Sequence, residues 1–367
     1  MADAKKPEEQ APLDPPAAAK TEPEGQKTRV SLKDHLRQST AWSISTPRIF
    51  DILSPAQTVL IAGCGGGYDV LSGLPLYFNL RQQGKTCLLA NLSFTSLYTT
   101  VPKAKKYCDM CVKVTHDMKA DVEFNRYFPE YYLSQWFWEK FQEDVPVYTF
   151  GREIGVQQLS SAYKKICSEH KVDAIVLVDG GTDSLMFGFE ERMGTPVEDQ
   201  TSIAAAHSVS SVPIRLLTCI GFGIDTFHGV SHGLFLENVA TLEKTGGYLG
   251  CFSVSRHSIE GQLYHKGYQA VSKRMQPSIV SASITDAMQG HFGNHHSTTR
   301  TGNSKLFINP LMPILWSFDL AKIVDQIPYA EKLASTKSAT DVMRVVMSHH
   351  AQVEKEGKIR KPIPLPM

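Results

Sequence analysis

Four aspartates stand where glycine clusters interrupt the chain. Asp69 closes GCGGGYD (63–69), Asp179 and Asp183 frame DGGTD (179–183), and Asp225 closes GFGID (221–225). Carboxylates gathered at one place hold a divalent cation or exchange protons with a substrate. His228 and His232 follow at i, i+4, and a helix through both would set the two rings on one face as an acid–base or metal-binding pair. Each acid also has a plain structural account. Asp69, in a first helical turn, is favoured by the helix dipole, and Asp179 and Asp183 can cap the helix that follows. Capping explains each acid separately better than it explains four together.

The elements around these clusters give them a common address. Thr58–Ala62 is a short apolar run and reads as a buried strand ending in Gly63, Gly65, Gly66 and Gly67. A helix follows from Val70 to Leu80, bent at Gly73 and Pro75. Further strands are expected at 86–91, 145–150, 174–178, 214–220, 248–254 and 306–308. Helices are expected at 131–141, 156–167, 196–209, up to 244, and at 257–275, 284–289, 319–324 and 341–350. Residues 102–122 carry no clear period. The alternation predicts an α/β fold: a mainly parallel sheet with helices on both faces, in a single large domain over residues 39–350. Residues 1–38, rich in Pro, Ala, Lys and Glu, are expected to be a disordered tail, and 351–367 a C-terminal tail. In a parallel sheet every strand tip lies on the carboxyl edge, where ligands bind. The tips here are small and polar: GCGGGYD, NLSFT, FGRE, DGGTDS, GFGIDTFH and SVSRHS.

The dinucleotide fingerprint fits poorly. Gly63 and Gly65 match its first two glycines, but Tyr68 replaces the third, and the second strand ends in Asn91 where a ribose-binding acid belongs. The same missing acid counts against S-adenosylmethionine, whose methyltransferases have a first motif like GCGGGYD. No nucleophile elbow of the form G-x-S-x-G is present.

Lys plus Arg is 38 and Asp plus Glu is 37, so charge gives no reason to expect nucleic acid or an anionic membrane. No run of apolar residues reaches membrane-spanning length, and the start MADAKKPEEQ lacks a secretory core. Seven cysteines, an odd number, with Cys87, Cys219 and Cys251 in apolar runs and Cys64 in the glycine turn, predict reduced thiols in a cytoplasmic protein. Cys108 and Cys111 form a lone CxxC near His116, without the second pair a zinc site needs. His291, His295 and His296 sit in a polar loop, 290–303, that holds no carboxylate or Cys of its own; the loop is a lid candidate rather than a metal site. The aromatic segment 131–141 reads as core, ahead of a lid or a homo-oligomer face.

VLIAGCGGGYDVLSGLPL, VLVDGGTDSLMFG, the GFGID loop, and GHFG followed by LFINPLMPILWSFDL resemble, in that order, the archaeal-type family labelled domain of unknown function 1152. The resemblance runs from about Val59 to Asp325 and implies a Rossmann-like fold, but no reaction. Its motif positions are Gly63, Gly65, Gly66, Gly67, Asp69, Asp179, Gly180, Gly181, Asp183, Gly221, Gly223 and Asp225. The residues together lead us to expect a small-molecule ligand, a nucleotide or another phosphorylated metabolite. The glycines would cradle its anionic oxygens, and Mg²⁺ is the cofactor candidate to reconcile phosphate with the acids. Asp179, Asp225 and His228 are the candidate catalytic residues, and Arg152 or Arg256 could pair with phosphate. A non-catalytic, ligand-sensing protein would use the same pocket.

Overall fold

β1 (Thr58–Gly63) lies in the middle of a nine-stranded sheet. The computed structural model describes residues 45–122 and 127–363. In chain order the other strands are β2 (Thr86–Ser93), β3 (Lys106–Cys108), β4 (Cys111–Val114), β5 (Val147–Gly151), β6 (Ala174–Gly180), β7 (Ile214–Ile220), β8 (Tyr248–Ser253) and β9 (Ile314–Asp319). Their order across the sheet is β3-β4-β5-β2-β1-β6-β7-β9-β8. The five central strands, β5-β2-β1-β6-β7, are parallel. Both edges are antiparallel: the β3–β4 hairpin on one side, β9 and β8 on the other.

The parallel centre follows from composition. β1 and β6 are apolar on both faces, so neither face can be left to water. Leu60, Ala62, Ile175 and Leu177 pack on one face, beneath the helices Val156–His170, Pro196–His207, His232–Lys244 and Ala339–Lys355. Val59, Ile61, Val176 and Val178 pack on the other, beneath Leu74–Gln82, Pro129–Phe141 and Ile259–Ser272. Helices on both faces of a largely parallel sheet make this the Rossmann-like α/β domain expected from the alternation. The aromatic helix Pro129–Phe141 does build core: Leu133, Trp136 and Phe137 are buried.

Strand order creates a crevice. From β1 the chain builds outward through β2 to β5, then returns to the other side of β1 for β6 and β7. The reversal lies between β1 and β6, whose carboxyl ends carry Gly63–Asp69 and Asp179–Asp183. The Cys64 N–H donates to the Val178 carbonyl at 2.8 Å and ties the two tips together. The expected bend at Gly73 is a full break between the helices Asp69–Ser72 and Leu74–Gln82. A Cβ at Gly73 would stand 2.7 Å from Ile61 Cγ2, so the glycine lets this segment lie directly on β1.

The sheet differs from expectation at its edges. Residues 106–114, which lack a clear period, form the β3–β4 hairpin. The expected strand at 306–308 is reduced to a single bridge between Ile308 and Gly293; Pro310, with no N–H to donate, follows after Asn309. The strand in that region is β9, and it slots antiparallel between β7 and β8. Asp319 ends β9 and caps the helix Leu320–Val324 through its side chain. The last helix runs to Lys355, five residues beyond its expected end. Past it, Arg360 donates to Asn238 Oδ1 at 2.8 Å and to Glu237 Oε2 at 2.9 Å, so the chain is docked well beyond residue 350. The expected tail at 1–38 lies outside the described residues, as do 364–367. Among the described residues no helix is long and apolar enough to cross a membrane.

Candidate functional site

Five buried aspartates converge on the crevice. Asp69 opens the short helix after β1, and its Oδ2 accepts the Gly65 N–H at 2.7 Å. Asp179 lies near the end of β6 and accepts from the Ser184 N–H at 3.2 Å. Asp183 follows in a 3₁₀ turn and accepts from the N–H and hydroxyl of Thr195 at 2.8 and 3.0 Å. Asp225, in the turn Ile224–His228, accepts from the N–H and hydroxyl of Thr182 at 2.6 and 3.0 Å. The fifth, Asp199, comes from the first turn of Pro196–His207. It is 1 % exposed, and neither carboxylate oxygen has a hydrogen-bond partner among the described residues. One oxygen each from Asp179, Asp183 and Asp199 lie within 4.8 Å of one another.

The glycines make room for these carboxylates. A Cβ at Gly65 would stand 2.6 Å from Asp199 Oδ1; one at Gly180, 2.7 Å from Asp69 Oδ1; one at Gly181, 2.9 Å from Asp225 Oδ1. At Gly194 the clash would be with Asp183. At these positions the backbone therefore approaches carboxylates of its own chain. The Gly65 amide donates to Asp69. Gly66 and Gly67 do supply the turn, with φ of 94° and 61°. Asn91, standing where a dinucleotide site has its acid, bonds the Gly67 carbonyl and Glu130 Oε1, both at 2.7 Å.

Over the acids lies a cavity of ≈ 480 Å³. Asp69, Asp179, Asp183 and Asp225 line its floor, with Gly65, Gly66 and Gly180. Its apolar surface includes Tyr68, Phe94, Tyr127 and Phe227, and the rings of Phe94 and Tyr127 stack with centroids 6.4 Å apart. His228 and Arg300 also line it. Burial pushes the Asp69 carboxyl up to about 8, against the pull of its backbone bonds and with the charge of Asp183 adding to the rise. Burial, then the negative charge of Asp183, holds Asp179, Asp199 and Asp225 well above the usual carboxylate range. Asp183 is also raised by burial, despite its bonds to Thr195. Behind the pocket, burial lifts Glu130 to about 7. Such a floor is short of positive charge, and a cation or shared protons would relieve it.

Other expected residues separate from this group. Gly63, Gly67, Gly181, Gly221 and Gly223 do not line the cavity; the last two turn the chain after β7, with φ of 104° and 86°. His228 and His232 do not share a helix. Gly229, at φ 80°, ends the turn that holds His228, and a new helix starts at His232. Only His228 reaches the cavity. Arg152 pairs with its neighbour Glu153 at 3.3 Å, and Arg256 reaches the Gln289 carbonyl at 3.5 Å; neither lines the pocket. Cys108 and Cys111 pair across the β3–β4 turn, while His116 stacks on Trp138 and bonds Asp144 at 2.9 Å. Two residues that sequence reasoning missed are Asp199, which reads as an ordinary first-turn acid, and Arg300, the one arginine of loop 290–303.

The family described as "Protein of unknown function (DUF1152)" matches residues 104–356. That stretch holds Asp179, Asp183, Asp199 and Asp225 but begins after GCGGGYD. No curated protein and no solved structure matches the chain. With more than half of its residues matched, including four of the five clustered aspartates, the chain belongs to the DUF1152 family.

Proposed function

We propose that the protein is an enzyme that uses a divalent cation, with Mg²⁺ as the candidate, to act on a nucleotide or another phosphorylated small molecule in this cavity. The observation that carries the reading is Asp199. A buried carboxylate with two unpartnered oxygens is costly unless something charged and positive completes it. Two oxygens on opposite sides of a Mg²⁺ or Ca²⁺ ion stand about 4–5 Å apart. The Asp179, Asp183 and Asp199 oxygens fall within that span.

In this reading Asp179, Asp183 and Asp199 hold the ion and the substrate's phosphate completes its shell. Arg300 answers the remaining negative charge, alongside a turn whose Gly65 amide is already taken by Asp69. Phe94 and Tyr127 offer flat apolar faces for a base or sugar ring. Asp225 and His228 line the cavity as candidate proton carriers. Seven free thiols agree with a cytoplasmic setting, and the balanced charge with a small-molecule partner rather than nucleic acid.

A second reading, a non-catalytic binding protein for a cationic amine, is favoured by the aromatic rings beside the acids. Native mass spectrometry of freshly purified protein separates the two. The enzyme reading expects a co-purifying phosphorylated molecule that is consumed when Mg²⁺ is added and persists in Asp199→Asn. An amine that stays bound unchanged would contradict it.

A further inference from the structure

A second constellation lies outside the acid pocket, on the loop that carries Arg300. The helix Ile279–Met288 presents Asp286, whose side chain is 8 % exposed. Gly290, at φ 90°, reverses the chain just past that helix, and the His291 N–H donates to the Asp286 carbonyl at 3.1 Å. The His291 and His295 rings then stack with centroids 3.8 Å apart and planes within 5°. His295 Nε2 lies 3.9 Å from Asp286 Oδ2. One ligand atom from each of the three residues lies within 4.8 Å of the others. Asp286 precedes His291 by five residues, just outside the loop, and the reversal at Gly290 brings its carboxylate to both histidines.

The hydrogen bonds single out these three groups. His296, the third histidine of the loop, is engaged at both nitrogens, by Thr301 Oγ1 at 2.9 Å and Asn294 Oδ1 at 3.1 Å. Among the described residues, the rings of His291 and His295 make no hydrogen bond and the Asp286 carboxylate accepts none. The loop around them is fixed by paired bonds between Gly293 and Ile308, at 2.8 and 2.9 Å. Three convergent groups with free lone pairs on an otherwise bonded loop form an incomplete coordination shell.

We propose that Asp286, His291 and His295 bind a borderline transition-metal ion of the Zn²⁺ class, and that the ion clamps loop 290–303. Two imidazoles and one carboxylate are a recurrent three-ligand set for zinc, leaving one position for water. Ligand atoms around tetrahedral zinc are about 3.4 Å apart, so the three groups draw together by roughly 1 Å on binding. His291 is exposed and His295 half-buried, and both have room to move. The clamp would sit at the start of the loop, with Arg300, held to the Pro277 carbonyl at 2.9 Å, near its end. Metal binding would therefore order the segment that brings Arg300 over the acid pocket. The site stands on its own residues and does not depend on what the acid pocket binds.

The test is Zn²⁺ uptake by the full chain after metal stripping and dialysis, together with Co²⁺ substitution followed by visible absorption. Wild type should retain one Zn²⁺ and show the Co²⁺ bands of a low-coordinate nitrogen–oxygen site. His291→Ala/His295→Ala should lose both, with affinity down about tenfold or more. Asp199→Asn and Cys108→Ser should keep both. Limited proteolysis within 290–303 should slow with Zn²⁺ in wild type and not in the double variant. No Zn²⁺ retained by wild type, or equal retention by the double variant, would overturn the site.

Discussion

A Cβ on Gly65 would stand 2.6 Å from Asp199 Oδ1 and 3.0 Å from Asp69 Oδ2. The glycine turn after β1 and the first turn of Pro196–His207 are thus fitted to each other through a carboxylate. Gly65→Ala should cost about 1–3 kcal/mol by overpacking. The cost should largely vanish in Gly65→Ala/Asp199→Ala, which removes the obstructing oxygens. Urea unfolding of the two single variants and the double variant gives the coupling directly. Additive effects would mean that the turn and the helix do not meet there.

The pH dependence has a definite sign. The folded protein holds Asp69 at about 8 and Glu130 at about 7, against unfolded values near 4. Between those limits the folded state binds more protons than the unfolded one. The stabilising effect of protonation is therefore complete below about pH 4 and is lost as pH rises through the folded values. Metal-free protein should lose up to about 1.4 kcal/mol per pH unit for each group titrating in this window. Denaturant midpoints from pH 5 to 8 check this, and saturating Mg²⁺ should flatten the slope by favouring the ionised acids. A metal-free midpoint that rises over that range would contradict the burial of these carboxyls.

The C-terminal segment gives a separate test. Arg360 bonds Asn238 and Glu237 and lies 3.5 Å from the buried Glu190. Arg360→Ala should cost about 1–3 kcal/mol, because it leaves polar groups of the His232–Lys244 helix short of a donor. Thermal unfolding measures it. An unchanged transition would mean that residues beyond the last helix contribute nothing to the domain.

Local signals carried much of this architecture. β1, β2, β6 and β7 are apolar runs bounded by turn residues, and the 3–4 spacing of Val156, Leu159, Ala162, Tyr163 and Ile166 marks a helix. β9 escaped because ILWSFD alternates weakly and its role depends on lying between two strands far away in sequence. The site was legible where acids sat at strand tips. Asp199 was hidden because its distinguishing property, two oxygens without a donor, exists only once β1 is packed against its helix. Asp286 was hidden in the same way, since its two histidines reach it only after the chain reverses at Gly290. At Gly65, Gly180 and Gly181 the missing Cβ also leaves room for carboxylates of the chain itself, which no local pattern announces.

The central claim is that Asp179, Asp183 and Asp199 form a cation site completed by an otherwise unpartnered carboxylate. Calorimetric titration of Mg²⁺ into metal-stripped wild type and Asp199→Asn tests it most directly. The account predicts saturable binding of one ion in wild type, lost or strongly weakened in Asp199→Asn. It also predicts that the metal-free Asn variant is at least as stable as wild type, because Asp199 gives up no hydrogen bond and one source of repulsion disappears. Equal Mg²⁺ binding by the two proteins, or none by either, would contradict it.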